Sequence, residues 1–345
     1  MFLKEETKSE NKTTYNWFYG INSIRFILAF IVMLGHSNLV YAVYLKHAHY
    51  LPIKLFGVLL SNAFNGTSAV IAFFIISGFV IHYPNKNGIV AIKAFWLRRY
   101  VRILIPLIVI IIIGSFYNHP ENKVVWSLYC ELLYYAIYPF LLSIKTTWKI
   151  KVIAAYVFVG LILVIFIFYG NNLNNLHLGG FIQRLFNQLV LCFVFLPCWL
   201  LGVLITENVH HLKEPSTNLI IFYRISVYTL SVFCGYANFH LKLSYSISMI
   251  IFALLLYKWL SAEIAHFQKN KPNKLLEKFG EFSYSLYLCH QTIFIISGVL
   301  FTVNFYNYPI LILITLGISY LYYRLIEKPS HLLARKIYTQ LSPIQ

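Results

Sequence analysis

The sequence predicts an all-α protein that crosses a membrane as a bundle of about ten helices, with both termini in the cytoplasm. Of its 345 residues, 59% are hydrophobic and only 11% are charged, too few charges to cover a water-soluble domain. The apolar residues also form ten runs of the length that crosses a bilayer, which is about 20 residues. These runs occupy residues 22–44, 57–82, 103–118, 124–143, 152–169, 185–206, 218–237, 243–262, 283–302 and 308–327.

The basic residues indicate how these helices are oriented. With the N-terminus inside, 19 Lys and Arg residues fall in the cytoplasmic connections and tails, and only five fall in the outer connections. This asymmetry is typical of multi-pass membrane proteins. It also accounts for the net charge of +17, so no nucleic-acid partner is expected. We therefore expect one membrane-embedded domain over residues 1–345, with a short cytoplasmic tail at about 1–20.

Several kinds of chemistry are excluded by residues that the sequence lacks. All eleven acidic residues are Glu, which excludes Asp-rich metal or diphosphate motifs and a Ser-His-Asp triad. The five cysteines lie in apolar segments without CxxC spacing, so they are expected to pack in the core. The histidines in predicted loops have no Cys or carboxylate at metal-ligand spacing. No metal site is predicted.

Two ionisable residues share one stripe of the first apolar helix. Arg25 and His36 are eleven positions apart, so at about 100° per residue they lie roughly three full turns and about 16 Å from each other. Ionisable groups inside a membrane helix cost about 2.5–3.5 kcal/mol or more each and usually mark a function. The stripe suggests a channel or a long ligand with a polar head.

Glu131 is the only acidic residue well inside a predicted span. With the predicted topology it lies about 10 Å below the outer face, and His36 lies about 20 Å up a ~30 Å core. The two residues are therefore expected at similar depth. They could form a general-base pair in which the carboxylate orients the imidazole. The alternative is a structural polar contact between helices.

Three further segments carry candidate residues. Arg98, Arg99 and Arg102 lie where the third span begins and could bind an anion such as phosphate, although arginines there also serve as membrane anchors. Gly78 in the second span is expected to permit close helix packing. His290 in the ninth span could face a ligand or bond a neighbouring helix. The predicted substrate contacts are Trp126, Ser127, Tyr134, Ser283, Tyr284, Tyr287 and His290.

These motifs, taken in order, resemble the acyltransferase-3 family, integral-membrane O-acyltransferases that modify bacterial surface glycans and some small molecules. The resemblance covers residues 16 to 336. It is carried by Arg25 and His36, then by FFIISGF, RRYVRILIP, WSLYCELLYYAIYP, SYSLYLCH and EKP.

The resemblance implies a set of roles and a location. His36 is the expected catalytic residue with Arg25 as its essential partner, and Glu131 is an active-site carboxylate. The group of Arg98, Arg99 and Arg102 would serve the acyl donor, acetyl-CoA, which binds only during turnover. The acceptor would be a glycan or lipid-linked glycan at the cytoplasmic (inner) membrane of a bacterium. His36 would act either as a general base or as a transient carrier of the acyl group.

Other functional classes remain as alternatives. A flippase or transporter of lipid-linked glycans would also have about ten spans and intramembrane charges, but an internal repeat would then be expected. A lipid-phosphate glycosyltransferase would be expected to carry acidic residues in its first outer loop, where YLKHAHYLPIK has none. A membrane sensor would leave the shared stripe of Arg25 and His36 unexplained. The acceptor, the acyl group and the oligomeric state stay open.

Overall fold

The computed structural model describes residues 18–37, 39–117, 122–174 and 180–342, and within these ranges it contains helices and no strand. The helices are α1 Ile21–His36, α2 Val40–Lys46, α3 Leu51–Asn62, α4 Gly66–His82, α5 Ile92–Ser115, α6 Asn122–Ser143, α7 Trp148–Asn174, α8 Gly180–Asn208, α9 Thr217–Leu241, α10 Tyr245–Lys269, α11 Lys274–Gly280, α12 Ser283–Leu300, α13 Tyr308–Tyr322 and α14 Lys328–Leu341. A π-helical segment, Tyr323–Glu327, joins α13 to α14. The predicted all-α fold is confirmed.

Eight helical segments of the described chain are long and apolar enough to cross a membrane. The pair formed by α1 and α2 would be a ninth, but it bends by 47° at its break. The predicted third span lies in α5, which is not among these segments. That helix carries Lys93, Arg98, Arg99 and Arg102 in its first half, so only its second half is apolar. A polytopic helical bundle is thus confirmed, while its orientation stays a prediction.

The connection predicted between the first two spans is largely helical. α2 ends at Lys46 and α3 begins at Leu51, so only a short turn separates them. Pro52 occupies the first turn of α3, where a missing N–H costs no helical hydrogen bond. Most of the predicted N-terminal tail, up to residue 17, lies outside the described residues.

The helix α4 lies at the centre of the bundle and packs against α1, α8 and α10. Its contact with α8 is made by two glycines. A Cβ atom on Gly78 would overlap the carbonyl oxygen of Trp199, and one on Gly202 would overlap the carbonyl oxygen of Ile75. The two backbones therefore touch, as small residues permit in membrane bundles. The packing role expected of Gly78 is confirmed.

The cysteines complete this core. All five are buried and carry free thiols, and all five belong to the main apolar cluster. This agrees with the expectation that they pack rather than form disulfides.

Replacing Gly202 by Ala should destabilise the bundle, because the new methyl group must push α4 and α8 apart. Overpacking of this kind costs about 1–3 kcal/mol. Thermal unfolding in detergent would measure the loss. Gly160→Ala is the matched control, since a Cβ atom at Gly160 meets nothing within 4 Å. Equal unfolding temperatures for the two variants would contradict the close crossing.

Candidate active site

A polar cavity of about 120 Å³ lies among α1, α4, α5, α6 and α12. It brings together side chains from segments that are far apart in the sequence. Its polar and ionisable lining residues are Arg25, Ser77, Arg99, Arg102, Ser127, Glu131, Tyr135, Ser283, Tyr284 and Tyr287.

Glu131 lies in the wall of this cavity and is held by two hydroxyl groups. The Ser77 Oγ of α4 donates to Glu131 Oε1 at 2.8 Å. The hydroxyl of Tyr135, one turn further along α6, donates to the same oxygen. Trp199 Nε1 donates in turn to Ser77 Oγ at 3.3 Å. The carboxylate is therefore fixed by α4, by its own helix and, through Ser77, by α8.

The predicted pair of His36 and Glu131 is not formed, and His36 is bonded to His290 instead. Their ring nitrogens, Nδ1 of His36 and Nε2 of His290, are 3.1 Å apart. The physical reason is lateral position: α1 packs against α4, α11 and α12, whereas α6 packs against α4, α5, α8 and α12. Matched depth in a membrane does not decide which helices are neighbours.

The cavity that contains Glu131 and the pair formed by His36 and His290 are nevertheless connected through α12. The Tyr287 hydroxyl lies 2.7 Å from Ser127 Oγ in the cavity wall, and its ring lies 6.1 Å from the ring of His290. His290 is fully buried and its Nδ1 contacts the Leu286 carbonyl oxygen at 3.1 Å. Of the two roles considered for His290, the structure favours a hydrogen bond between helices, from α12 to His36 of α1.

His36 itself is exposed at the C-terminal end of α1. A Cβ atom at Gly66, the first residue of α4, would be 3.8 Å from His36 Cε1. One at Gly35 would lie 2.5 Å from the carbonyl oxygen of Phe64, so glycine lets the end of α1 approach this backbone. The imidazole of His36 is thus exposed, whereas the backbone beside it is closely packed.

The predicted arginine group is divided by the structure. Arg99 and Arg102 line the cavity together with Arg25. Arg98 is not part of the lining, and its guanidinium lies 4.9 Å from the ring centre of Tyr338. The three cavity arginines are a compact set of donors suited to an anion.

Two buried polar atoms of the cavity have no protein partner. Arg99 is 8% exposed and Ser283 is 1% exposed, and neither Arg99 Nε nor Ser283 Oγ forms a hydrogen bond within the described part of the protein. Buried polar groups are nearly always hydrogen-bonded. Unpartnered donors facing a cavity indicate a place for a polar ligand.

Two predicted substrate contacts are packing residues instead. Tyr134 is fully buried and donates to the Cys192 carbonyl oxygen at 2.8 Å. Trp126 packs against Phe74 and Phe195. Neither residue lines the cavity, because both point from α6 toward α8 rather than toward α5 and α12.

The sequence reasoning also missed a buried carboxylate. Glu327, 1% exposed, accepts hydrogen bonds from Ser285 N at 3.1 Å and Ser285 Oγ at 2.5 Å. It also lies 3.5 Å from His331 Nε2, the atom to which Arg102 Nε donates at 2.9 Å. Glu327 thus places a carboxylate beside the contact between Arg102 and His331. Its position at the very end of the last apolar run concealed its burial, although the EKP motif contains it.

Comparison with known families identifies the family. The acyltransferase-3 family model, described as an acyltransferase domain, matches residues 18–324. The match includes every residue of the cavity lining. Comparisons with curated proteins and with solved structures give no significant match. The resemblance first seen in the sequence motifs is confirmed.

Replacing Glu131 by Leu should lower the stability of the folded protein. The hydroxyls of Ser77 and Tyr135 would lose their acceptor, and leaving such groups unsatisfied costs about 1–3 kcal/mol. Glu131→Gln keeps an acceptor oxygen and should be much closer to wild type. Thermal unfolding of both variants in detergent tests this, and a Leu variant as stable as the Gln variant would contradict the assigned contacts.

Proposed function

The chain belongs to the acyltransferase-3 family of membrane acyltransferases, and we propose that it transfers an acetyl group from cytoplasmic acetyl-CoA to a hydroxyl of a bacterial surface polysaccharide or its lipid-linked precursor. The observation that supports this most is a set of polar side chains on neighbouring helices. It extends from the arginines past Glu131 and Tyr287 in the cavity lining, and then over a 6.1 Å separation of ring centres to His290 and so to His36. Such a set suits a donor and an acceptor that approach from opposite sides of the inner membrane.

The arginine end of the cavity is proposed to bind the donor. Coenzyme A carries phosphate groups, which guanidinium groups recognise in bidentate fashion. Arg25 lies in the first turns of α1 and Arg99 in the first half of α5, both on the predicted cytoplasmic side. The unpartnered Arg99 Nε and Ser283 Oγ are natural partners for such a ligand. Arg98, outside the lining, is left with at most a peripheral role.

His36 is proposed as the reacting residue. Its imidazole would take the proton of the acceptor hydroxyl while the hydroxyl oxygen attacks the thioester carbonyl. The C–S bond then breaks, and the thiolate of coenzyme A leaves and is protonated. Transient acylation of His36 is the second route. In both routes the exposed position of His36 admits the acceptor.

The role proposed here for Glu131 differs from the one predicted from the sequence, which was to orient the His36 imidazole. It holds Ser77 and Tyr135 in place and supplies a negative charge to a cavity lined by three arginines. We propose that it shapes the donor side of the cavity rather than orienting His36.

His36→Ala should abolish acetylation of the host's surface glycan. Loss of a general base lowers the rate by about 10²–10⁴-fold. Mass spectrometry of the glycan from wild type, a deletion strain and the complemented deletion would measure O-linked acetyl groups. His210→Ala, which changes an exposed histidine between α8 and α9, is the control and should restore acetylation.

The same experiment separates the alternative class. If the polysaccharide keeps its acetyl groups but fails to reach the surface in the deletion strain, a flippase or transporter replaces the proposed function. If neither acetylation nor export changes, a surface glycan is not the acceptor.

Coenzyme A should raise the unfolding temperature of the purified protein, and Arg99→Ala should remove most of that rise. A ligand at 100 times its Kd stabilises the folded state by about 2.7 kcal/mol. Lys93→Ala is a matched control, because it removes one positive charge from the same helix at an exposed residue outside the cavity lining. An undiminished rise in the Arg99 variant would argue against donor binding here.

A further inference from the structure

The rings of His36 and His290 meet edge to edge. Their nitrogens are 3.1 Å apart, their planes differ by 24°, and their centroids are 5.2 Å apart. Rings stacked face to face would have their centroids closer together than this. Because the two planes are nearly parallel and the centroids lie well beyond the nitrogens, the hydrogen bond runs nearly in the plane of both rings.

The partners of His290 determine which nitrogen of each ring carries a proton. His290 is fully buried and forms no ion pair with a carboxylate in the described chain, so its imidazole is neutral. Its Nδ1 faces the Leu286 carbonyl oxygen, which can only accept, so Nδ1 bears the proton. The Nε2 atom of His290 is then an acceptor, and His36 must donate to it from Nδ1.

From this geometry we infer that His290 is a positioning residue that makes Nε2 of His36 the reacting atom. A neutral imidazole has one protonated nitrogen, so a proton held on Nδ1 leaves the lone pair of His36 on Nε2. The role resembles that of a carboxylate behind a catalytic histidine, but here a second histidine fills it. The inference rests on the proposed function only where it calls His36 the reacting residue.

The hydrogen bond from His36 Nδ1 to His290 Nε2 also persists when His36 becomes positively charged. When Nε2 takes a proton, Nδ1 still donates to His290, which in turn donates to Leu286. The developing positive charge therefore faces a chain of oriented dipoles, and no rearrangement of α1 or α12 is needed. The carbonyl of Val32, one turn earlier on α1, is the other acceptor beside His36.

Nitrogen-15 NMR of histidine-labelled protein tests the hydrogen bond directly. We expect His36 to show a protonated Nδ1 and an unprotonated Nε2, with a scalar coupling between His36 Nδ1 and His290 Nε2. The His36→Gln and His290→Gln variants assign the signals. A protonated Nε2 on His36, or no coupling between the rings, would overturn the inference. This readout needs no turnover, so it tests His290 even if acetyl-CoA is not the donor.

Kinetics with acetyl-CoA then test the positioning role. His290→Leu should lower kcat by about 10²-fold, the scale of a misplaced general base, with the KM for acetyl-CoA unchanged. His290→Gln, which keeps an acceptor oxygen, should recover most of the rate. Leu288→Ala, a core truncation on the same helix, controls for loss of stability alone.

The outcomes separate the two proposals. If wild type transfers acetyl groups and His290→Leu keeps its kcat, the Val32 carbonyl alone is enough to hold the His36 imidazole in place, and the inference about His290 is wrong. If His290→Leu and Leu288→Ala fall equally, His290 has only a structural role. If wild type shows the coupling but transfers no acetyl group, the proposed function fails while the arrangement of the two histidines stands.

Discussion

The crossing of α4 and α8 at Gly78 and Gly202 is the constraint on which the site depends. Because the two backbones touch there, α4 lies as close to α8 as it can, and Ser77, the residue before Gly78, contacts both Glu131 and Trp199. Thr206 of α8 also donates to the Phe79 carbonyl oxygen at 3.1 Å. The position of the central carboxylate therefore follows from a contact made by residues without side chains.

The helix α12 connects the two halves of the site. Tyr287 and His290 are three positions apart and so lie close together on its surface. Tyr287 contacts Ser127 in the cavity wall, and His290 contacts His36 beyond it. One helix thus faces the arginine-lined cavity and the exposed imidazole at once. In the first turn of α12, Ser285 donates to Glu327, whose carboxylate lies 3.5 Å from the His331 nitrogen that accepts from Arg102.

The sequence predicts the position of residues along each helix better than the packing between helices. Apolar runs and the distribution of basic residues predict how many helices there are and how deep each polar residue lies. They do not predict which helices pack side by side. Equal depth therefore suggests a pair of His36 and Glu131, whereas the packing of α12 against α1 brings His290 to His36. Tyr135 could have been found from its spacing of four residues from Glu131. Glu327 could not, because it sits at the boundary of an apolar run and only the packing of α12 against the π-helical segment shows that it is buried.

The burial of all five cysteines has a practical consequence for the orientation of the chain. The natural thiols are shielded by protein, so a polar, membrane-impermeant maleimide would find few competing targets on the folded molecule. A single cysteine placed in a connecting loop would then report from which side of the membrane it is reached. The native chain, without removal of its own cysteines, is already a suitable background for mapping its topology in intact cells.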